Sequence, residues 1–169
     1  MEKMDFIIIP TTHFHMQFAL TDAERESVAG RSGAWLRRLD GVLRMDLPFH
    51  KIGLAHLTCS LINRDREAYL QILTALPEDA MTELFGKAAR LGVGIELNAS
   101  DIQAAAGAEE IVLRPYRIAK ECGCKFYCGS DSHNPNSFRK SKELFEHAVT
   151  LLGLTEADKF IPQPAVSSV

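Results

Sequence analysis

Five histidine and aspartate residues follow strand-like segments of this sequence and are candidates for metal binding: His13, His15, His56, Asp131 and His133. Neutral imidazole and carboxylate groups are ligands of zinc, manganese and iron. If the strands are parallel, their carboxyl ends meet at one edge of the sheet, where the loops converge. A single histidine at a strand end is ordinarily a hydrogen-bonded, partly buried ring. Histidines at three such ends favour a metal site instead.

The spacing of these residues supports the same interpretation. His13 and His15 are two positions apart, so on an extended segment both side chains point to one side. Asp131 and His133 have the same spacing. Each pair can therefore present two ligands to one cavity. Gly129 begins a run of small residues before Asp131, which lets the backbone approach a ligand closely.

The remaining histidines and a cluster of cysteines are expected to be structural. His50 precedes a strand-like segment, and His147 lies on an amphipathic helical segment. Cys122, Cys124 and Cys128 have neither the C-x2-C spacing of zinc modules nor a thioredoxin-type C-x-x-C. Cys128 lies within an apolar run, where a thiol ordinarily behaves as a small hydrophobe. A zinc module built on these three cysteines stays open as an alternative.

Alternating strands and helices are needed to position the candidate ligands. The pattern predicts strands over 5–11, 51–56, 94–98 and 125–130, and a short closing strand over 159–162. It predicts helices over 21–45, 64–76, 78–91, 115–121 and 137–152. A capping-box pattern at Thr21 and Glu24 begins the first helix, and Gly30 and Gly33 permit a break within it. This alternation predicts parallel βαβ units in an α/β fold.

Composition and charge limit the function classes. The chain has 169 residues, of which 46% are hydrophobic and 24% charged, with a net charge of −3. This composition argues against a disordered chain or a disulfide scaffold, and the charge gives no electrostatic footprint for nucleic acid. No apolar run approaches a membrane span of about 20 residues, and the N-terminus has no signal-peptide pattern. We therefore expect a single cytoplasmic domain with reduced thiols and no membrane contact.

Four short motifs occur in series along the chain: Asp5-Phe-Ile-Ile-Ile leading to His13, Gly53-Leu-Ala-His56, Gly94-Ile-Glu-Leu-Asn98 and Gly129-Ser-Asp-Ser-His133-Asn-Pro. In this order and spacing they resemble the motifs of the polymerase and histidinol phosphatase (PHP) superfamily. The last one resembles the GSDAH-type motif of that family and is the most specific of the four. The resemblance covers nearly the whole chain.

The resemblance implies a distorted (β/α)7, TIM-like barrel whose strand ends hold divalent metals. It implies a hydrolase that cleaves a phosphomonoester with a metal-bound water, as a histidinol phosphatase does. Carried over by position, His13, His56, Asp131 and His133 are metal ligands, with His15 as the alternative to His13. Asp131 and His133 are also the expected catalytic residues. The expected metal is zinc, manganese or iron, and the expected partner is a small phosphorylated substrate.

The chain departs from the family pattern at its start. Family members open on a D-x-H-x-H strand, whereas the motifs here match the C-terminal part of the domain. We therefore expect one PHP-like domain over 1–169 that lacks the N-terminal strands, has an incomplete metal site and ends in a frayed tail over 163–169. Glu96 and Asn98 are expected to have structural or supporting roles. The edges of such a half-barrel favour a homo-oligomer, and a non-catalytic binding or oligomerisation module is the alternative function.

Overall fold

The computed structural model of the chain describes residues 4–16 and 19–162. Its centre is a sheet of four parallel strands in the order β1-β2-β3-β4: β1 Ile7–Pro10, β2 Ile52–Ala55, β3 Gly94–Asn98 and β4 Lys125–Gly129. Helices connect each strand to the next. The predicted α/β class with parallel strands that alternate with helices is therefore confirmed. Because consecutive strands are neighbours, right-handed crossovers place the connecting helices on one side of the sheet.

Nine helices are found in the described residues: α1 Asp22–Arg25, α2 Val28–Leu43, α3 Arg66–Thr74, α4 Glu78–Leu91, α5 Ala99–Ala104, α6 Glu109–Val112, α7 Arg114–Glu121, α8 Pro135–Arg139 and α9 Ser141–Leu152. Short 3-10 turns cover Phe49–Lys51, Ser60–Ile62 and Glu156–Asp158. Helix α4 has the predicted bounds, and Gly92 ends it in the left-handed conformation with φ of 72°. Helices α5 and α6 were not predicted, since so short a helix shows no usable periodicity.

The helix predicted over 21–45 is two helices in the structure. Thr21 and Glu24 do form the predicted capping box at the start of α1. The break falls before Val28, because the side chain of Ser27 accepts a hydrogen bond from the backbone N–H of Gly30 and starts α2. Gly30 and Gly33, which permitted a break, lie inside the continuous helix α2. A side chain that caps a helix outweighed the low helix propensity of glycine. The helix predicted over 137–152 is likewise divided, into α8 and α9.

One face of the sheet carries the hydrophobic core. Ile52, Leu54, Ile95 and Leu97 are each at most 2% exposed and belong to one apolar cluster that includes Trp35 of α2. Alternate residues of a strand point to opposite faces, so these four side chains face the helices. Each such buried side chain contributes roughly 1.5–3 kcal/mol relative to an exposed one.

Glycines on the opposite face of the sheet lie beneath aromatic rings. A Cβ at Gly53 would overlap the ring of Tyr127, and a Cβ at Gly94 would overlap the ring of Phe160. Phe6 packs edge-on against Tyr127, with 5.1 Å between ring centroids. The glycines are therefore required by close packing on this face.

The C-terminal segment adds one bridge to the sheet. The strand predicted over 159–162 is reduced to a single parallel bridge between Phe126 and Lys159, followed by a hydrogen bond from the N–H of Phe160 to the carbonyl of Phe126. The predicted frayed tail over 163–169 lies outside the described residues. No helix in the described ranges has the length and apolar character needed to cross a membrane.

Candidate metal centre

Three of the predicted ligands come together at the carboxyl edge of the sheet. His13 and His15 follow β1, and His56 follows β2. The ring centroids of His13 and His56 are 4.6 Å apart, and those of His13 and His15 are 5.3 Å apart. Residues far apart in sequence therefore form one cluster of imidazoles, at the sheet edge where the sequence predicted it.

Hydrogen bonds hold the segments after β1 and β2 against each other. The N–H and the hydroxyl of Thr11 both donate to the carbonyl of Ala55, at 3.1 and 3.2 Å. The hydroxyl of Thr12 donates to the carbonyl of His56. Arg38, on helix α2, donates from Nε to the carbonyl of Thr11 at 2.7 Å. These contacts fix the distance between the two strand ends that carry the histidines.

Two of the candidate ligands have left-handed backbone conformations. His56 has φ of 60° and Asp131 has φ of 49°. Neither is a glycine, so each conformation costs roughly 1 kcal/mol or more. At His56 the backbone N–H donates to Glu96 Oε2 at 3.0 Å, which stabilises the turn. Strained residues of this kind concentrate at functional sites.

Asn98 supports the ring of His56. Its Oδ1 accepts hydrogen bonds from the N–H groups of Ser100 and Asp101 and so caps helix α5. That contact turns Nδ2 toward Glu96 Oε2 at 3.1 Å and toward His56 Nδ1 at 3.4 Å. Because Nδ2 is a donor, the neutral His56 ring with its lone pair on Nδ1 fits this position best. These contacts agree with the supporting roles expected of Glu96 and Asn98.

The electrostatic surroundings favour a neutral ring at His13. Burial lowers the pKa of His13 below its usual 6.5, and the neighbouring His56 and His15 lower it further. The carboxylate of Asp131 acts in the opposite direction on the same pKa, which places Asp131 within electrostatic range of the cluster. A neutral imidazole has a free lone pair, which is the form that binds metals.

His133 is placed differently from the other candidates. Its side chain is exposed, and its Nδ1 lies 2.9 Å from the backbone oxygen of Asp131. In the described part of the chain, no ring contact joins His133 to the other histidines. Because a carbonyl oxygen only accepts, Nδ1 carries the proton, and Nε2 of the neutral ring has the free lone pair.

A second group of possible ligands was missed by the sequence analysis. Donor atoms of His56, Cys59 and Asp101 all lie within 4.8 Å of one another, so these three residues could hold a metal ion. In residues 4–16 and 19–162 this is the only set of three histidine, cysteine or acidic side chains that meets that distance. The predicted ligands His13, His15 and Asp131 therefore belong to no set of three donor atoms within 4.8 Å in the described residues.

The segment that carries Cys59 is held by buried hydrogen bonds. Trp35 Nε1 donates to the carbonyl of Leu57 at 2.8 Å, and the hydroxyl of Tyr69 donates to the carbonyl of Thr58 at 2.7 Å. Cys59 is itself 5% exposed, and burial raises the pKa of its thiol to about 12. The thiol is therefore neutral unless a cation lies beside it.

Asp101 is a carboxyl group buried in the first turn of α5. Only 1% of the residue is exposed, and burial together with the charge of Glu96 raises its pKa to about 8. Oδ2 accepts from the N–H of Thr58 and from the hydroxyl of Tyr116, both at 3.3 Å. Oδ1 is buried and has no hydrogen-bond partner. An unpartnered buried oxygen of this kind calls for an explanation, because native structures contain few of them.

The other cysteines and histidines form no such group within the described ranges. Cys124 is buried, with Sγ 3.3 Å from the carbonyl of Phe85. Cys128, which was expected to behave as a small hydrophobe, is exposed on β4 at the edge of the sheet. His50 and His147 are both exposed, as expected for residues outside the site.

Comparisons of this chain with protein-family models, with curated proteins and with solved structures return no match.

Proposed function

We propose that this protein is a metal-dependent phosphoesterase of the PHP type, which hydrolyses a small phosphomonoester. The observation that carries the proposal is the 4.6 Å separation of the His13 and His56 rings, which come from two neighbouring strand ends. We assign His15 and Asp131 as the further ligands, and His133 contacts the backbone oxygen of Asp131 through its Nδ1. The cation would be zinc, manganese or iron, which accept imidazole and carboxylate ligands.

The donors fit a divalent cation. The lowered pKa of His13 keeps its ring neutral, and its two histidine neighbours add further nitrogen donors. Asp131 adds a carboxylate, and its negative charge lies within electrostatic range of His13. His15 and Asp131 are exposed, so their side chains have room to rotate toward a cation shared with His13. Catalytic zinc commonly takes three protein ligands and keeps one position open.

In the proposed hydrolysis, the bound cation and His133 have different roles. A bound divalent cation supplies Lewis acidity, which polarises phosphoryl oxygens and lowers the pKa of water. His133 donates from Nδ1 to the Asp131 carbonyl, so its Nε2 can accept a proton from the attacking water and return it to the leaving oxygen. The exposure of His133 leaves Nε2 accessible to a substrate.

A cavity lined in part by Asp131 supports a small phosphorylated substrate. The cavity has a volume of about 290 Å³. Its lining combines one cationic, two amide and two hydroxyl side chains near the candidate ligand, namely Lys140, Asn136, Gln103, Ser100 and Ser130. Cationic and hydroxyl groups are the partners that phosphate oxygens require. We propose that the phosphoryl group is bound between Asp131 and Lys140.

The arrangement of the strands supports a partial, distorted TIM-like barrel. Four parallel strands in sequential order, each followed by helices, is the pattern of consecutive units in a (β/α) barrel. The candidate ligands lie at the carboxyl ends of the strands, where such barrels have their active sites. Within the described strands, β1 forms an edge that can pair with further chain.

A second candidate function is self-association. Its specific support is edge strand β1, where the side chain of Ile8 is 52% exposed. An exposed apolar edge strand favours pairing with another chain. This function and catalysis are compatible, because an oligomer can complete a site at the sheet edge.

The phosphoesterase is tested by metal analysis of the purified protein and by hydrolysis of p-nitrophenyl phosphate. We expect Asp131→Ala and His133→Ala to lower kcat/KM by roughly 100-fold or more, since each removes a group assigned to ligation or proton transfer. The matched control is His147→Ala, which removes an exposed histidine of α9. Unchanged rates in both site variants, in a protein that retains no metal, would refute the proposal.

A further inference from the structure

A buried group of donors lies behind the exposed histidines. His56 follows β2, Cys59 begins the turn Ser60–Ile62, and Asp101 lies in the first turn of α5. One donor atom from each lies within 4.8 Å of the others. Three separate segments of the chain thus bring a nitrogen, a sulfur and an oxygen to one place.

Oδ1 of Asp101 is the observation that points to a ligand. It is buried and has no hydrogen-bond partner, while Oδ2 accepts from Thr58 and Tyr116. Protonation of Asp101 does not supply the missing hydrogen-bond partner, because a hydroxyl at Oδ1 would need an acceptor of its own. A cation bound at Oδ1 satisfies the oxygen in its charged form.

A bound cation would also stabilise the buried sulfur of Cys59. The residue is 5% exposed, and Sγ accepts one long hydrogen bond from the N–H of Leu61 at 3.4 Å. A thiolate is the form that binds metals, and burial disfavours a thiolate unless a cation lies beside it. Cys59 and Asp101 would therefore offset each other's cost of burial through one shared cation.

The surrounding charge is negative. The carboxylates of Glu96 and Asp131 both act electrostatically on Asp101 and on Cys59. A bound divalent cation would balance this concentration of acidic groups.

We propose that His56, Cys59 and Asp101 bind a thiophilic divalent cation of the zinc class. Ligands that share one tetrahedral zinc have bonds of about 2.0–2.3 Å, so their donor atoms lie roughly 3.4–3.6 Å apart. Since no two of the three donor atoms are more than 4.8 Å apart, they reach that spacing by approaching one another by at most about 1.4 Å. The sulfur ligand selects zinc over manganese and magnesium, which prefer oxygen ligands.

This site goes beyond the proposed phosphoesterase and does not depend on it. His56 is common to the strand-end histidine cluster and to the buried group, whereas Cys59 and Asp101 belong only to the latter. A readout that detects sulfur on the metal therefore reports on the buried site whether or not the protein hydrolyses phosphoesters.

The first experiment loads the metal-free full chain with Co²⁺ as a probe for zinc. We expect a sulfur-to-cobalt charge-transfer absorption in the near ultraviolet, which Cys59→Ser abolishes. The matched control is Cys128→Ser, which removes an exposed thiol and should leave the absorption unchanged. An absorption that persists in Cys59→Ser, or that disappears in Cys128→Ser, would overturn the assignment.

The second experiment needs no variant. X-ray absorption of the zinc-loaded wild-type chain should show one sulfur at about 2.3 Å together with nitrogen or oxygen ligands. A first shell without sulfur, or with two or more sulfurs, would contradict the proposal.

A third measurement tests the oxygen ligand. We expect Asp101→Asn to weaken zinc binding by roughly 100-fold or more, as loss of a metal ligand exceeds the 10- to 100-fold effect of an outer-shell partner. Circular dichroism reports whether the variant is folded. Unchanged zinc affinity in a folded Asp101→Asn protein would exclude Asp101 from the site.

Discussion

Asn98 links the start of helix α5 to the ring of His56. Its Oδ1 accepts from the N–H groups of Ser100 and Asp101, and its Nδ2 lies 3.4 Å from His56 Nδ1. The same amide therefore sets the position of two candidate metal ligands, one on each side of it. The residue that caps helix α5 thus also orients the ring of His56.

Replacing Asn98 with alanine should therefore have two effects. The loss of the helix cap should lower the free energy of unfolding by about 1 kcal/mol. The loss of the contact to His56 should weaken metal binding by about 10- to 100-fold. Urea unfolding and a zinc titration measure the two effects.

The matched control for Asn98 is Ser27→Ala, which removes the cap of helix α2 away from the site. It should cost a similar free energy of unfolding and leave zinc affinity unchanged. An equal loss of affinity in both variants would show that Asn98 acts only through stability.

Gly129 is predicted to be required by the side chain of Glu96. A Cβ at position 129 would overlap Glu96 Oε1, whose carboxylate also accepts from the N–H of His56. Gly129→Ala should lower the free energy of unfolding by about 1–3 kcal/mol, because the carboxylate must move. Urea denaturation measures this change.

Gly41→Ala is the control for that substitution. Gly41 lies within helix α2, and no atom is found within 4 Å of its expected Cβ. Alanine should therefore stabilise the protein by about 0.5–1 kcal/mol. If Gly129→Ala were equally stabilising, the packing of Glu96 against β4 would be wrong.

Asp101 should make the stability of the metal-free protein depend on pH. Its pKa is raised from 3.8 to about 8 in the folded state, so the folded chain binds a proton that the unfolded chain has lost. The stabilising contribution is complete below about pH 3.8 and is lost as the pH rises toward about 8.

Asp101→Asn removes that dependence, because an amide does not ionise. With a chelator present, the variant should gain stability relative to wild type between pH 4 and pH 8, by on the order of 5 kcal/mol. Thermal or urea unfolding across this range gives the comparison. A constant difference between the two proteins would show that Asp101 is ionised throughout.

The sequence predicted some of the strands, helices and site residues and missed others. Short apolar runs located the strands and helical spacing located the longer helices, and histidines at three strand ends indicated one cluster. Cys59 and Asp101 carried no signal, because no local metal-binding spacing joins them and α5 is too short to detect. Only the pairing of β2 with β3 and the cap at Asn98 bring them together. The break before Val28 was missed because a serine cap competes with glycine as a helix boundary.

Lys140 should bind the phosphoryl group of the substrate. It lines the cavity of about 290 Å³ that includes Asp131. Lys140→Met should raise KM for a phosphomonoester by about 10-fold, the equivalent of 1.4 kcal/mol, with little change in kcat, because it removes binding without touching the reacting groups. Lys142→Met is the control, since Lys142 is exposed in α9 and pairs with Glu146. A fall in kcat at constant KM would contradict this role.

Ile8 should contribute to self-association through edge strand β1. We expect the wild-type chain to form a dimer or larger assembly, and Ile8→Lys to shift it toward the monomer, because a charge on an edge strand opposes pairing. Size-exclusion chromatography with light scattering measures both. Leu151→Lys, on the exposed face of α9, should leave the assembly unchanged. A wild-type monomer at high concentration would exclude this function.

The most direct test of the central proposal is reconstitution of the metal-free wild-type protein. The chelated chain should hydrolyse p-nitrophenyl phosphate no faster than buffer, and addition of Zn²⁺, Mn²⁺ or Fe²⁺ should restore a rate that requires Asp131. Failure of all three ions to produce hydrolysis above background, in a chain that is folded, would contradict the assignment of a metal-dependent phosphoesterase.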